Sequence, residues 1–215
     1  MCERSIRELK GIFTGQDIYV VGSGPTAGYI DAKFFDNKLA IGVNEVYQRF
    51  PNLDYLVRKD TAGAEEARAS GIPLIVSRYH GGNIQGERNE LAGPQDYYVF
   101  EHGDNGKTEV DLAVIGTRKI VVSYSTITSA MHIAAYMGAA NIILVGADCG
   151  LVDGNMNMRG YHGSSIGYNG YRKFLKVIEP QTAAVRERLA EVYGCRVYSL
   201  NPWLNIGLEG HRYER

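Results

Sequence analysis

Short apolar runs that alternate with helical or loop-like segments run the length of this sequence. Eight of them are three to five residues long, at residues 18–21, 39–43, 55–57, 73–76, 97–100, 120–122, 142–145 and 197–200. Runs of this length are typical of buried strands, and strands that alternate with helices favour parallel pairing. The sequence therefore predicts an α/β fold with a mostly parallel sheet.

Helical patterns fall between these runs, at residues 5–13, just after Pro25, and at 62–69, 128–137 and 180–193. The last has apolar residues on one face and ends before Gly194. Two polar stretches interrupt the alternation, at residues 79–95 and 153–171. Long polar stretches in a compact α/β domain are typical of functional lids or of disorder. We expect one domain over residues 1–215, with these two as loop insertions.

Charge and composition narrow the classes of partner. The 215 residues are 45% apolar, and 23 basic side chains balance 24 acidic ones without a basic block, so we expect no nucleic-acid partner. We expect no membrane span and a cytoplasmic location, because no apolar run approaches the length of a bilayer and no signal core is present. Three widely spaced cysteines, at positions 2, 149 and 195, argue against a disulfide framework and a zinc site. The oligomeric state stays open, a homo-oligomer included.

The first apolar run leads directly into a glycine-proline turn, Val-Gly-Ser-Gly-Pro-Thr. Gly22 and Gly24 remove side chains that would block a ligand, and Pro25 suits the first turn of a helix whose positive end attracts an anion. The turn is the first candidate for a nucleotide phosphate site. Such turns also occur in strand–helix connections that bind nothing. On the first interpretation, a Gly24→Val change abolishes nucleotide binding and leaves the fold intact.

Polar residues follow the next two predicted strands. Asn44 directly follows the run at 39–43, and Asp60 is the last residue of the segment 53–60. Both are therefore expected at the carboxyl edge of the sheet, where parallel sheets bind ligands. Asn44 could contact a base or ribose, and Asp60 a ribose hydroxyl or a metal-bridged phosphate. Alternatively, Asn44 caps the following turn and Asp60 caps the helix at residue 62.

Three hydroxyl residues, Ser125, Thr126 and Thr128, open the helix predicted at 128–137. Hydroxyls at a helix N-terminus bind phosphate or cap the helix, and because all three cannot be caps, at least one is expected to contact a ligand. His132, one turn further on, is interpreted as a packed core histidine. Asp148 directly follows a buried strand and is a stronger candidate for a catalytic role.

The stretch at 153–171 carries reactive side chains in a glycine-hinged segment. His162 could act as a general base near neutral pH, Arg159 could hold a phosphate or carboxylate, and Tyr161 or Tyr168 could stabilise a leaving phosphate. The alternative is a surface loop whose aromatic side chains pack on the domain. An EF-hand is excluded, because Asp153 begins a run that lacks the central Gly and the closing Glu.

Four segments in order resemble a known superfamily: VGSGPT at 21–26, IGVNE at 41–45, LDYLVRKD at 53–60, and TSAMHIAAYMGAANIILVGAD at 128–148. The sequence is similar to the 6-hydroxymethylpterin pyrophosphokinase MptE-like domain, which also occurs in flagellin-modifying glycosyltransferases. It is more distantly similar to the sialyltransferases of glycosyltransferase family 42. The resemblance implies a Rossmann-like fold, with helices on both faces of the sheet and a nucleotide bound at the first glycine turn.

The resemblance also implies roles for individual residues. Ser23, Asn44 and Asp60 take positions that contact nucleotide in the sialyltransferases, although those enzymes carry Asn in place of Ser23 and of Asp60. The sialyltransferases also use a base histidine shortly before the C-terminal helix. A gapless match backwards from Leu200 puts Val177 at that position, so His162 takes this role only if the loop is rearranged. The implied function is a transferase, most simply a glycosyltransferase that uses a CMP- or UDP-linked sugar donor and a glycan or small hydroxyl acceptor.

Two alternatives remain at this stage. One is an MptE-like pyrophosphokinase that moves diphosphate from ATP to a hydroxymethyl acceptor, with Mg²⁺ held by Asp60, Asp148 or Asp153. The other is a nucleotide-binding protein without catalytic activity. The two transferase hypotheses differ in their metal requirement, so nucleotide binding with and without Mg²⁺ separates them.

Overall fold

The computed structural model describes residues 3–59, 64–79, 97–104, 109–123, 125–161 and 168–200, with the side chains of residues 64, 168–172 and 174–176 left out. These residues form an eight-stranded sheet in the order β1-β6-β5-β4-β3-β2-β7-β8. Every neighbouring pair is parallel. The strands are β1 (Glu3–Ser5), β2 (Asp17–Val21), β3 (Ala40–Val43), β4 (Tyr55–Arg58), β5 (Leu74–Ser77), β6 (Tyr97–Phe100), β7 (Asn141–Val145) and β8 (Arg196–Ser199).

Helices connect these strands. The α-helices are α1 (Ala64–Ala69), α2 (Thr126–Tyr136) and α3 (Tyr168–Tyr193). Short 3₁₀ helices cover Ile6–Leu9, Pro25–Tyr29, Ala32–Phe35, Asn44–Gln48 and Leu112–Val114. Within the described residues, no helix is both long enough and apolar enough to cross a membrane.

Alternation along the strands builds two hydrophobic cores, because successive side chains of a strand point to opposite faces of the sheet. Ile18 and Val20 of β2 pack on the face covered by α2 and α3. Tyr19 and Val21 pack on the other face, with α1 and the 3₁₀ helices that follow β2 and β3. The predicted α/β fold, a parallel sheet with helices on both faces, is therefore confirmed.

Three predicted elements differ from the observed ones. Among the residues that the structure describes, 120–122 pair in no ladder, and Ile120 makes an isolated bridge to His102. The helix expected at 5–13 shortens to one 3₁₀ turn that ends before Gly11, whose φ of 69° is left-handed. The helix expected to begin at Pro180 begins at Tyr168 instead, so the first turn of α3 lies within the stretch predicted as a loop. Proline removes one helical hydrogen bond, but the buried face of α3 continues through it.

The strand order places a topological switch point at β2. From β2 the chain passes to β3 over one face, and from β6 it returns through α2, on the other face, to β7 on the opposite side of β2. Connections that leave neighbouring strands in opposite directions open a crevice at their carboxyl ends, where open parallel sheets bind ligands. The glycine turn after β2 and the segment after β7 form this edge.

Candidate functional site

The glycine turn after β2 packs directly on the end of β7. Gly22 N–H donates to the Val145 carbonyl at 2.7 Å, and Gly24 N–H donates to the Gly146 carbonyl at 2.8 Å. A Cβ atom at Gly24 would lie 2.5 Å from the Gly146 oxygen and 2.6 Å from Asp148 Oδ2. Because one of these contacts is to backbone, glycine is required here for packing. The expectation that Gly24→Val leaves the fold intact is therefore wrong.

Asp148 closes the turn from the β7 side. Its Oδ2 accepts the Thr26 N–H at 2.7 Å, and its Oδ1 accepts the Thr26 hydroxyl. The carboxylate thus lies at the N-terminus of the 3₁₀ helix Pro25–Tyr29, where an anion is stabilised. Burial raises the pKa of Asp148, while the hydrogen bonds from Thr26 act in the opposite direction.

Most backbone donors of the turn are consequently used within the protein. The N–H groups of Gly22 and Gly24 donate to β7 and its extension, that of Thr26 donates to Asp148, and Pro25 has none. These three amides are therefore not free to bind a phosphate, whereas the Ser23 N–H makes no hydrogen bond within the described residues. Any nucleotide contact at this edge has to come mainly from side chains.

The hydroxyls at the start of α2 divide into two roles. Ser125 is the N-cap, its Oγ accepting the Ile127 N–H at 3.2 Å. Thr128 Oγ1 donates to the Ser125 carbonyl at 2.7 Å and is buried, so it completes the same cap. In the described part of the chain, Thr126 Oγ1 has no hydrogen bond. Of the three, Thr126 is the hydroxyl left for a ligand.

Asp104 fixes the segment that leads into α2. Its buried carboxylate accepts the N–H groups of Val122 at 2.8 Å and Ser123 at 3.2 Å, together with the Ser123 hydroxyl. Lys59 Nζ, just after β4, donates to the Val122 carbonyl at 2.8 Å. These contacts link the β4 and β6 ends to the N-terminus of α2. Nothing in the sequence around Asp104 indicated this function.

Left-handed backbone marks the ends of β3 and β7. Asn44, immediately after β3, has a φ of 53°, and Cys149, just beyond β7, has a φ of 45°. Non-glycine residues adopt this conformation at a cost and cluster at functional sites. Asn44 does not cap the 3₁₀ helix that it begins, and the described residues give its amide no hydrogen bond. The capping alternative for Asn44 is therefore excluded, and its amide is available to a ligand.

The first part of the predicted lid is fastened to the glycine turn. Met158 N–H donates to the Ser23 carbonyl at 2.8 Å, and Ser23 Oγ donates to Asn157 Oδ1 at 3.0 Å. The Met158 side chain is buried in the core beneath the turn. Arg159 is exposed beside this anchor, and the described residues offer it no ion pair.

Tyr161 ends this segment in a charged network. Its hydroxyl donates to Glu45 Oε2 at 3.0 Å, and Glu45 Oε1 lies 2.9 Å from an NH2 of Arg58. The Arg58 and Glu45 side chains are only 4% and 18% exposed. Burial, followed by the negative charge of Glu45, raises the pKa of Tyr161 to about 12. The phenol therefore stays protonated and donates a hydrogen bond at physiological pH.

The predicted site residues thus converge in large part. Gly22, Ser23, Gly24 and Pro25 meet Asp148 at the switch point, and the 151–161 segment brings Tyr161 to the residue after Asn44. Asp60 and His162 lie outside the described residues. His132 is a core histidine, as predicted: its Nδ1 accepts the Val121 N–H, and its Nε2 lies 3.2 Å from the Tyr193 hydroxyl.

A surface cavity of about 650 Å³ lies elsewhere, beside β1 and β6. Charged side chains line it, among them the Glu3–Arg78 ion pair. None of the predicted site residues contributes to it. The described residues contain no group of three or more His, Cys, Asp or Glu side chains close enough to bind a metal ion.

Structural comparison shows the fold to be that of known glycosyltransferases. No protein-family model matches the chain, and no curated protein sequence matches it. Sialyltransferase CstII from Campylobacter jejuni, solved with cytidine-5'-monophosphate (CMP), aligns at 11% identity with a TM-score of 0.50, over 93% of this chain and 84% of that one. The same enzyme with a trisaccharide acceptor and CMP aligns at 12% identity and a TM-score of 0.52, over 93% and 88%.

A MAf glycosyltransferase from Magnetospirillum magneticum AMB-1 also matches, at 12% identity and a TM-score of 0.50. The alignment covers 97% of this chain but 37% of that one. At such identities the comparisons establish a shared Rossmann-like fold. The resemblance to sialyltransferases is confirmed at that level, whereas no family model supports the MptE-like part of it.

Proposed function

We propose that this protein is a nucleotide-dependent transferase of the glycosyltransferase type, which uses a CMP- or UDP-linked sugar and an acceptor hydroxyl. The observation that carries the proposal is the meeting of the glycine turn, Asn44 and the 151–161 segment at the switch point of a parallel sheet. Support comes from the shared fold of sialyltransferase structures that hold CMP.

Mainly side chains would bind the nucleotide in this proposal, since the amides of Gly22, Gly24 and Thr26 are engaged. Ser23 donates to Asn157, and its side chain also contacts the Tyr161 hydroxyl, so it joins the turn to the proposed phosphate-binding tyrosine. Asn44 offers both a donor and an acceptor to a base or ribose. Thr126 Oγ1 would reach a phosphate or ribose oxygen, and Asp60 a ribose hydroxyl.

Two groups of the 151–161 segment would stabilise the departing nucleotide. The Tyr161 hydroxyl is a permanent donor because of its raised pKa, and Arg159 carries a permanent charge. Donors aimed at oxygens that gain negative charge act most strongly in the transition state.

The reaction would be a direct displacement. The acceptor oxygen forms a bond to the anomeric carbon, and the bond from that carbon to the phosphate oxygen breaks with its electron pair leaving on the phosphate. His162 would take the proton of the acceptor hydroxyl. Asp148 would act as a structural support for the turn, because both its oxygens accept hydrogen bonds from Thr26.

Titration calorimetry with CMP, UDP and ATP, each with and without Mg²⁺, tests the proposal. We expect CMP or UDP to bind without metal, and Asn44→Ala to lower that affinity about tenfold, the usual result of losing one or two hydrogen bonds. Asn52→Ala is the matched control, since Asn52 bonds Asp36 before β4 and away from the site. Binding of ATP but of neither CMP nor UDP, and only when Mg²⁺ is present, would favour the pyrophosphokinase. Binding without turnover of any donor would leave a nucleotide-binding protein.

A further inference from the structure

Glu45 occupies a position between two strand ends that no sequence pattern indicated. It follows the left-handed Asn44, and the sharp turn there brings its carboxylate to Arg58, the last residue of β4. A guanidinium as buried as that of Arg58 is costly without an anionic partner. The pair therefore fixes the direction of the Glu45 carboxylate.

The second oxygen of the same carboxylate accepts the Tyr161 hydroxyl. Tyr161 is attached to the glycine turn through the bond between Met158 and Ser23. Glu45 is thus the anion that the Tyr161 hydroxyl faces in the structure, at the edge where the proposed function places the phosphate of the donor.

We propose that Glu45 is a positioning residue whose carboxylate takes the place of the donor phosphate while no nucleotide is bound. In that state it holds the Tyr161 hydroxyl by accepting its hydrogen bond. When a nucleotide binds, the hydroxyl turns to the phosphate. This transfer of the Tyr161 hydrogen bond from Glu45 to the phosphate, called the hand-over below, rests on the proposed function. A phosphate and a carboxylate both accept charge-assisted hydrogen bonds from a phenol, so the exchange needs no change in protonation. The Glu45–Arg58 pair remains intact throughout.

Glu45 and the donor phosphate compete for the Tyr161 hydroxyl. Glu45 opposes donor binding for two reasons. It accepts the hydrogen bond of the Tyr161 hydroxyl, and its negative charge repels the phosphate. Glu45→Gln keeps the shape of the side chain and removes the charge. We expect it to bind CMP or UDP about fivefold more tightly, and Tyr161→Phe to bind them about fivefold more weakly. The gain from Glu45→Gln should be smaller in the Tyr161→Phe background, since part of it arises from the freed hydroxyl.

Hydrogen exchange of the peptide that covers residues 156–161 tests positioning without any nucleotide. Glu45→Gln and Tyr161→Phe should each speed exchange there, and the double variant should exchange no faster than the faster single variant. Tyr29→Phe is the control, because the Tyr29 hydroxyl contacts Asp153 of the same segment from an exposed position. It should leave both exchange and nucleotide affinity unchanged.

The outcomes separate the two claims. Unchanged exchange in both single variants, or additive effects in the double variant, would overturn the positioning role. A Glu45→Gln protein that binds nucleotide no more tightly than the unaltered protein would overturn the hand-over. If the unaltered protein binds neither CMP nor UDP, the proposed function fails and the hand-over fails with it, while exchange still decides whether Glu45 positions Tyr161. Should Glu45→Gln fold poorly, Tyr161→Phe alone decides, because it removes one hydroxyl and spares the ion pair.

Discussion

The buried His132 predicts how this protein loses stability in acid. Burial lowers the pKa of its imidazole from 6.5 to about 3. The Val121 N–H donates to Nδ1, so Nε2 carries the proton and donates to the Tyr193 hydroxyl, and the neutral ring has both nitrogens satisfied. The unfolded chain takes up a proton below its ordinary pKa and the folded chain does not. The contribution of His132 is thus complete above pH 6.5 and decreases as the pH falls towards 3.

The magnitude follows from the two pKa values. Each pH unit below 6.5 removes about 1.36 kcal/mol, so about 2.7 kcal/mol is lost by about pH 4.5. Urea unfolding followed by circular dichroism, on the unaltered protein and His132→Gln, measures it. The variant should be less stable near neutral pH. The difference in free energy of unfolding between the two proteins should decrease by about 2.7 kcal/mol by about pH 4.5, because only the unaltered protein loses the contribution of His132. Contributions from carboxyl groups, Asp148 included, are common to both proteins and cancel.

Tyr193→Phe provides the control for this measurement. It removes the hydrogen bond to Nε2 but keeps the buried imidazole, and burial is the cause of the lowered pKa. Its stability should therefore fall with pH as steeply as that of the unaltered protein. A stability gap between His132→Gln and the unaltered protein that is the same at about pH 7.5 and about pH 4.5 would refute the reasoning.

Further predictions concern the glycine turn. Gly24→Ala should lower the free energy of unfolding by about 3 kcal/mol or more, since its Cβ would meet the Gly146 carbonyl, as measured by urea unfolding. Gly28→Ala in the adjacent 3₁₀ helix should be neutral, because its nearest contact would be an ordinary 3.5 Å; equal losses would contradict the packing role of Gly24. Asp148→Asn should cost about 1.5 to 3 kcal/mol through the hydrogen bonds from Thr26, and an unchanged unfolding midpoint would remove that role.

Most of the sheet could be predicted from sequence, because seven of its eight strands are specified by local apolar runs. Apolar runs such as those of β2 and β7 are buried on both faces, and this leaves continuous hydrophobic stretches in the sequence. β1 could not be found in the same way, because Glu3–Ser5 is short and polar and pairs only at the edge of the sheet. The start of α3 was missed because a proline was interpreted as a helix start when it lies inside the helix.

The candidate site could be predicted only in part. Strand ends indicated Asn44 and Asp148, but neither the partner of Asp148 nor the Tyr161–Glu45 contact beside Asn44, because the residues of each pair lie far apart in sequence. Asp148 and Thr26 are 122 residues apart, and Tyr161 and Glu45 are 116 apart. Composition and periodicity carry no information on such pairs. Because tertiary contacts cannot be read from the sequence, the glycines suggested a phosphate site. The contacts of Gly24 show that packing requires a glycine at this position.

The central claim is that a nucleotide binds at the carboxyl ends of β2 and β3, under the 151–161 segment. Hydrogen exchange with and without saturating CMP or UDP tests it directly. We expect protection to appear in the peptides that cover residues 22–26, Asn44 and residues 156–161. Protection confined to the cavity beside β1 and β6, or no protection anywhere, would contradict the claim.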